Sequence, residues 1–251
     1  MRFHPTIKIN YILMKPGTFN NYYTLISRMI LYNLRIIFAN KFIWFLAGSV
    51  VFYLGLSVIY VLSQDVSAMR DLYGVFMFSG ILLVFYPVVF GIQNDQDART
   101  IEILFGIPNY RYKVWLVRII LIFVIAFLIM LLFTFLSNIL IVKFEFVYVT
   151  IQVMIPVLFL GMMSFMLSTV VRNGNGTAVI MIILGILFMF FDEVLRKSQW
   201  NIFLNPFSPA WDVSETTWAI ISLKNRIILV TGSILFLLAG LYNLQKREKF
   251  M

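Results

Sequence analysis

Long apolar runs alternate with short polar segments along the whole chain. Six runs of 15 to 25 residues contain no Asp, Glu, Lys, Arg or His: 42–62, 72–92, 119–142, 147–171, 177–191 and 227–244. A helix needs about 20 residues to cross the hydrocarbon of a bilayer. Lipid satisfies no backbone hydrogen bond, and the alternation typical of a barrel strand is missing. The pattern therefore predicts an all-α fold with six membrane-spanning helices.

The fifth run, 177–191, is shorter than the others and leaves two interpretations open. Its 15 apolar residues would rise only about 22 Å as a helix, against roughly 30 Å of hydrocarbon. We expect the helix to extend into 173–176 or 192–195 and to cross completely. The alternative is a half-span that turns back inside the membrane.

Composition excludes a water-soluble enzyme and leaves little for catalysis. Only 12% of the residues are charged, whereas soluble domains carry roughly 25%. The mean hydropathy is +0.93. The chain has no Cys and one His, His4, so disulfides, thiolate metal sites and thiol nucleophiles are excluded. The closest acid pairs, at 95/97 and 192/193, fall at predicted helix ends, which disfavours a membrane hydrolase.

The distribution of Lys and Arg predicts the orientation. One side of the membrane would hold residues 1–41, 93–118, Arg172 and the C-terminal tail, with fourteen Lys and Arg against four acids. The opposite side holds six against seven acids. Because basic loops remain inside, we expect both termini to be cytoplasmic, in a multi-pass protein of the plasma (bacterial inner) membrane. The net charge of +9 then reflects orientation and membrane lipid, and no nucleic acid is expected as a partner.

Residues 22–41 have the pattern of an amphipathic helix that lies in the membrane interface. Arg28 and Arg35 fall on one face, and apolar residues fall towards the other: Leu25, Ile26, Met29, Ile30 and Ile37. The alternative is a positively charged flank to the first span.

Residues 192–226, on the outer side, are too apolar for a solvated loop and too interrupted for a span. Prolines at 206 and 209 separate two apolar pieces, 200–204 and 211–223, and three of the five Trp lie here. Indole rings prefer the membrane interface. The pattern predicts short re-entrant helices in the outer leaflet, with an ordinary interfacial loop as the alternative.

The segment 93–118 reads QNDQDARTIEILFGIPNYRYKVWLVR. Asn94, Asp95 and Asp97 would supply the N-cap and the first-turn acids of a helix. An apolar stripe follows at 101, 104 and 105, and Gly106 and Pro108 would end the helix after about two turns. Its apolar side must rest on lipid headgroups or on a partner protein.

The order of these elements resembles the permease subunit of ABC transporters of the type-2 exporter class. Residues 97–111 are similar to that family's coupling-helix pattern of an acid, a small residue, Thr, an apolar-Glu-Leu-Leu core, Pro and a basic flank, although Arg99 stands where a small residue is usual. Weaker similarities lie at 168–173, 205–209 and 246–248. The resemblance implies that an ATPase docks on the following residues: Asp97, Arg99, Thr100, Ile101, Glu102, Leu104, Phe105, Pro108 and Arg111.

The same resemblance implies a separate source of energy. The chain contains no G-x-x-x-x-G-K-[ST] loop to hold nucleotide phosphates. We therefore expect no cofactor in this chain, with ATP and Mg²⁺ bound by a cytoplasmic ATPase partner. Two permeases, identical or homologous, and two ATPase subunits would assemble in the membrane.

Two other functions stay open at this point. An ion-coupled secondary carrier normally has ionisable residues at mid-membrane, and the six runs contain none. A membrane assembly protein that transports nothing would be distinguished by failure to co-purify with an ATPase. The few polar or kinking residues in the runs suit bundle packing as well as a transport path: Thr134, Asn138, Gln152 and Pro156. The apolar, aromatic spans suit a lipidic, peptidic or amphiphilic cargo better than a naked ion.

Overall fold

The computed structural model describes residues 42–63, 68–97 and 110–244. Within those ranges the chain forms helices and turns and contains no β-strand. The predicted interfacial helix at 22–41 lies outside the described residues. The helices are α1 (Phe42–Ser63), α2 (Ala68–Val89), α3 (Gly91–Asp97), α4 (Val117–Leu140), α5 (Phe146–Val171), α6 (Gly174–Asp192) and α7 (Glu215–Asn243), with a π-helical segment, Arg111–Leu116, before α4.

Six helical stretches are long and apolar enough to cross a membrane. Helix α3 prolongs α2, and the π-helical segment prolongs α4, so each of these pairs forms a single crossing of 26 or 27 residues. The prediction of an all-α, multi-pass membrane protein is thereby confirmed.

Helix α6 corresponds to the ambiguous fifth run and is a full-length helix. It has 19 residues, so it rises about 28 Å. Three of the four added residues come from the 173–176 side, where the Asn173 side chain accepts a hydrogen bond from the Gly176 amide at 3.0 Å. This N-cap starts the helix early enough that the half-span alternative is not required.

Helices α2 and α5 form the centre of the bundle. We compare the apolar 18-residue window of each crossing. In the crossings that contain α2 and α5, 67% of the window is buried, against 17% to 33% in the other four crossings. Helix α5 packs against α2, α4, α6 and α7, while α2 also packs against α1 and α4. The largest cluster of buried side chains lies between these helices and includes Phe76, Leu83, Met130, Val153, Val157 and Phe165.

Two glycines let aromatic rings pack directly on helix backbones. A Cβ added at Gly161 in α5 would lie 2.6 Å from Cζ of Phe123 in α4. A Cβ added at Gly240 in α7 would lie 2.5 Å from Cε1 of Phe165 in α5. Both distances are too short for carbon atoms, so these helix pairs approach as closely as they do only because the residues lack a side chain.

Buried hydroxyl groups join the helices by hydrogen bonds. The Tyr53 hydroxyl in α1 donates to the Phe133 carbonyl in α4 at 3.0 Å and lies 2.9 Å from Oγ of Ser137. The hydroxyls of Thr134 and Thr150 join α4 to α5 at 2.7 Å. These polar residues therefore contribute to helix packing, as is common where lipid offers no alternative partner.

Successive crossings run in opposite directions, which gives the bundle two distinct ends. At one end, which we call the Arg118 end, the Tyr110 hydroxyl donates to the Leu244 carbonyl, and the Gly174 amide donates to Oε1 of Gln93 at 2.6 Å. The opposite end, the Arg226 end, carries the connections 141–145 and 193–214. The cytoplasmic location of the Arg118 end stays a prediction.

The short helices predicted within 192–226 and the predicted start of the last span are both wrong. No short re-entrant helix forms at 200–204, which makes turns, and residues 215–223 are the first turns of α7 instead of a separate helix. The Ser214 hydroxyl accepts a hydrogen bond from the Thr217 amide at 3.3 Å and caps α7. The helix begins at Glu215, twelve residues before the predicted start at 227. As a result α7 contains Lys224 and Arg226, so the crossings as formed are not free of charge.

Candidate functional site

The predicted ATPase-docking residues lie mostly outside the described part of the chain. Asp97 is the last residue of α3 and is exposed. Residues 99–108 are not described, and Arg111 begins the π-helical segment that precedes α4. The structure therefore shows the two flanks of the predicted docking segment.

A buried ion pair joins those two flanks. Nη1 of Arg118 in α4 donates to Oδ2 of Asp95 in α3 at 2.8 Å, and both side chains are only 3% to 4% exposed. The Arg118 guanidinium also lies 4.6 Å from the centre of the Trp115 ring. Removal of one partner from such a pair leaves an uncompensated buried charge, which costs about 3–5 kcal/mol. The pair therefore holds α3 and α4 together where the chain leaves and re-enters the bundle.

Asp95 was expected to be a first-turn acid of a new helix, and this prediction is wrong. The helix continues from α2 after a bend at Phe90, and the Asn94 amide donates to the Phe90 carbonyl at 2.8 Å. Asp95 consequently lies near the C-terminal end of α3, and its carboxylate points inwards to Arg118. The carboxylate thus accepts a charge-assisted hydrogen bond from Arg118.

A second buried polar cluster lies at the Arg226 end. Arg226 is 6% exposed. Its Nε donates to Oε1 of Gln152 at 2.8 Å, and its Nη2 donates to the Tyr73 hydroxyl at 2.9 Å and to the Leu204 carbonyl at 3.2 Å. Nη1 donates to Oδ1 of Asn225 at 3.0 Å. One guanidinium therefore ties α7 to α2, α5 and the 193–214 connection.

The neighbouring Asn225 fastens the 193–214 connection over the helix ends. Its Nδ2 donates to the Asn201 carbonyl at 2.7 Å and to the Gln199 carbonyl at 2.9 Å. Asn201 in turn donates to Oδ1 of Asp192 at 2.8 Å. Nε1 of Trp218 donates to the carbonyl of residue 206 at 3.1 Å. These bonds satisfy backbone groups that lipid or an apolar core could not.

A cleft of about 510 Å³ lies beside this cluster. Its walls are mostly apolar and include Ile155, Pro206 and Trp218, and Arg226 is among its lining residues. Two lining side chains are well exposed, Tyr148 at 47% and Leu223 at 62%. The site therefore combines an apolar wall, a buried cation and an open side.

Comparisons with protein-family models, with curated proteins and with solved structures found no match to this chain. Within the described ranges, no group of three or more His, Cys, Asp and Glu side chains could hold a metal ion. A functional assignment therefore depends on the side chains at the Arg118 end and the Arg226 end of the bundle.

The sequence interpretation did not identify either buried cluster. Arg118 and Arg226 were counted as loop charges that set the orientation, and Asp95 was interpreted as an acid at the start of a helix. The signal that could have indicated the second cluster is Gln152, an amide inside an apolar run that needs a hydrogen-bond partner. No comparable signal in the sequence pairs Asp95 with Arg118, because the two are 23 residues apart.

Proposed function

We propose that this chain is the permease subunit of an ATP-driven export system of the ABC type-2 exporter class. The observation that supports the proposal best is the buried Asp95–Arg118 pair. It links the two flanks of the segment proposed to dock on the ATPase. A force applied to residues 98–109 would reach α3 and α4 together, and through them the central helix α2.

In this proposal the ATPase partner hydrolyses ATP, and this chain forms the transport path through the membrane. ATP and Mg²⁺ bind to the ATPase, and two permease chains assemble with two ATPase subunits in the plasma (bacterial inner) membrane. In this proposal the Arg118 end faces the cytoplasm, because the positive-inside rule assigns the Lys- and Arg-rich segments 1–41, 93–118 and the C-terminal tail to that side. The docking contacts come from Asp97, Arg99, Thr100, Ile101, Glu102, Leu104, Phe105, Pro108 and Arg111.

The secondary carrier is the weaker alternative, although the helices do contain buried charges. Gln152, the partner of Arg226, is six residues from the start of the 26-residue helix α5, or about 9 Å along an axis whose midpoint lies near 20 Å. Asp95 is likewise near the end of its crossing. Carriers normally bind the driving ion near the bilayer midplane. The positions of these charges thus favour the permease.

The test is co-purification of an ATPase with the tagged chain in a mild detergent. Glu102→Lys and Leu104→Asp should abolish recovery of the ATPase while the permease still inserts. An uncharged polar group in a dry apolar contact costs about 2–7 kcal/mol, and an ionised carboxylate costs more. Glu145→Lys is the matched control, since Glu145 is exposed at the opposite end. Undiminished ATPase recovery in both variants would refute the docking role, and failure of the wild-type chain to recover any ATPase would favour an assembly protein.

A further inference from the structure

We infer that the cleft at the Arg226 end binds the anionic headgroup of an amphiphile, with Arg226 as the recognising cation and Ser222 as a second donor. Both residues line the cleft and lie one helical turn apart on α7. The inference concerns binding and does not depend on the proposed export function.

The first argument is the uncompensated charge of Arg226. Among the side chains that the structure describes, no carboxylate lies within ion-pair distance of it. All four of its hydrogen bonds go to neutral acceptors. These bonds hold the guanidinium in place but do not neutralise its positive charge. Burial of a charge without a counter-ion costs free energy. Glu215, the acid that lines the same cleft, is exposed and eleven residues away on α7, about 16 Å along the axis.

The second argument is unused hydrogen-bonding capacity. A guanidinium has five N–H groups, and the bonds described occupy four of those of Arg226. The buried Oγ of Ser222 has no hydrogen-bond partner. Ser57 and Ser79 in α1 and α2 also have unpaired hydroxyls, but of these serines only Ser222 lines the cleft; on the same helix Ser233 donates to the Leu229 carbonyl at 2.7 Å. An acceptor oxygen that entered the cleft would use both donors, and an unpaired buried hydroxyl otherwise costs free energy.

The third argument is the shape of the cleft, which indicates an amphiphile and not a free anion. Trp218, Ala219 and Ile155 give the cleft an apolar wall. Leu223 lies at the cleft, and Ile227 follows on the same face of α7, with exposed fractions of 62% and 57%. A headgroup beside Arg226 would therefore continue into an apolar chain along this lipid-facing surface.

The experiment is native mass spectrometry of the full chain in a neutral detergent with equal amounts of phosphatidylglycerol and phosphatidylcholine of identical chains. The wild-type protein should retain phosphatidylglycerol preferentially. Arg226→Gln should weaken that binding about 10- to 100-fold, the usual effect of losing a hydrogen bond to a charged group. Lys224→Gln is the matched control, because it removes the same charge from an exposed position on the same helix. Equal retention of the two lipids by the wild type, or an unchanged preference in Arg226→Gln, would overturn the inference.

A second variant covers the case in which Arg226→Gln does not fold. Ser222→Ala keeps the guanidinium and its neutral partners, so it should weaken phosphatidylglycerol binding several-fold without lowering the melting temperature. Unchanged binding of phosphatidylglycerol would contradict the inferred role of Ser222 as a second donor to the headgroup.

Competitors then identify the kind of ligand. Dodecyl phosphate should displace phosphatidylglycerol, whereas inorganic phosphate at the same concentration should not. Equal displacement by inorganic phosphate would overturn the inference that the ligand is an amphiphile, and the cleft would then be a site for anions in general. Tighter binding of phosphatidylglycerol than of dodecyl phosphate would support a bilayer lipid as the occupant, and the reverse order would support a single-chain amphiphile.

Discussion

Buried charges are stabilised differently at the two ends of the bundle. At the Arg118 end the cation is neutralised by Asp95 at 2.8 Å. At the Arg226 end the cation is held only by amide, hydroxyl and carbonyl groups. The first arrangement is a structural joint between two helices. The second leaves a net charge beside a cleft, which is the reason that it is a candidate for ligand binding.

The first residue-scale prediction concerns the buried pair. Asp95→Asn removes the counter-ion of Arg118, so the free energy of unfolding should fall by about 3–5 kcal/mol. Thermal unfolding in detergent measures the change. Asp212→Asn is the control: Lys197 hydrogen-bonds Asp212 and lowers the pKa of its carboxyl, yet that pair is exposed, so no measurable change is expected. Equal melting temperatures for the two variants would show that the Asp95–Arg118 pair does not stabilise the fold.

Sequence reasoning succeeded least for individual charged residues. Counting Lys and Arg treats each side chain as solvated, and this holds for Lys224 but not for Arg226, two residues further along α7. The difference depends on which face of α7 meets Gln152 and Tyr73, and those residues lie 74 and 153 positions away in the sequence. Such contacts follow from helix packing, which no local pattern contains.

At the scale of elements, apolar runs located every crossing but not every helix end. The run 227–244 is the second half of α7, which begins at Glu215. The start is determined by the Ser214 cap and by the burial of Arg226, and the latter makes a charged residue compatible with a crossing helix. Helix α6, in contrast, could be predicted, since Asn173 is a favourable N-cap in front of a short apolar run.

An element-scale prediction tests the close packing of α5 and α7. Gly240→Ala would place a Cβ 2.5 Å from Phe165, so the helices must separate or the ring must shift. Overpacking of this kind costs about 1–3 kcal/mol, which thermal unfolding in detergent should detect. Gly185→Ala in α6 is the control, because nothing lies within 4 Å of its added Cβ. A loss of stability that is the same in both variants would contradict a specific role for Gly240.

At the scale of the whole molecule, the burial pattern separates a packed centre from an apolar periphery. Helices α2 and α5 are mostly buried, whereas only 17% of the α6 window and 22% of the α1 window are. Side chains such as Met189 and Phe190 in α6 are 68% and 76% exposed. These surfaces suit contact with lipid or with the second permease of the proposed assembly.

The orientation of the molecule can be tested because the chain has no native Cys. Val194→Cys should react with an impermeant thiol reagent added to intact cells, and Asn109→Cys should react only after the membrane is opened. Val194 is 79% exposed and is preferable to Ser214, whose hydroxyl caps α7. Labelling of residue 109 but not 194 in intact cells would reverse the predicted topology.

The energy source is the last property that the whole molecule predicts. A driving ion needs a binding site within the membrane whose occupancy changes its energy, and such sites are normally built on carboxylates. Among the side chains that the structure describes, the one buried carboxylate is Asp95, and Arg118 already neutralises it. In liposomes that contain the chain and the proposed ATPase partner, we therefore expect transport of an amphiphilic probe to depend on ATP and not on a proton or sodium gradient alone. Movement driven by a gradient without ATP would favour the secondary carrier.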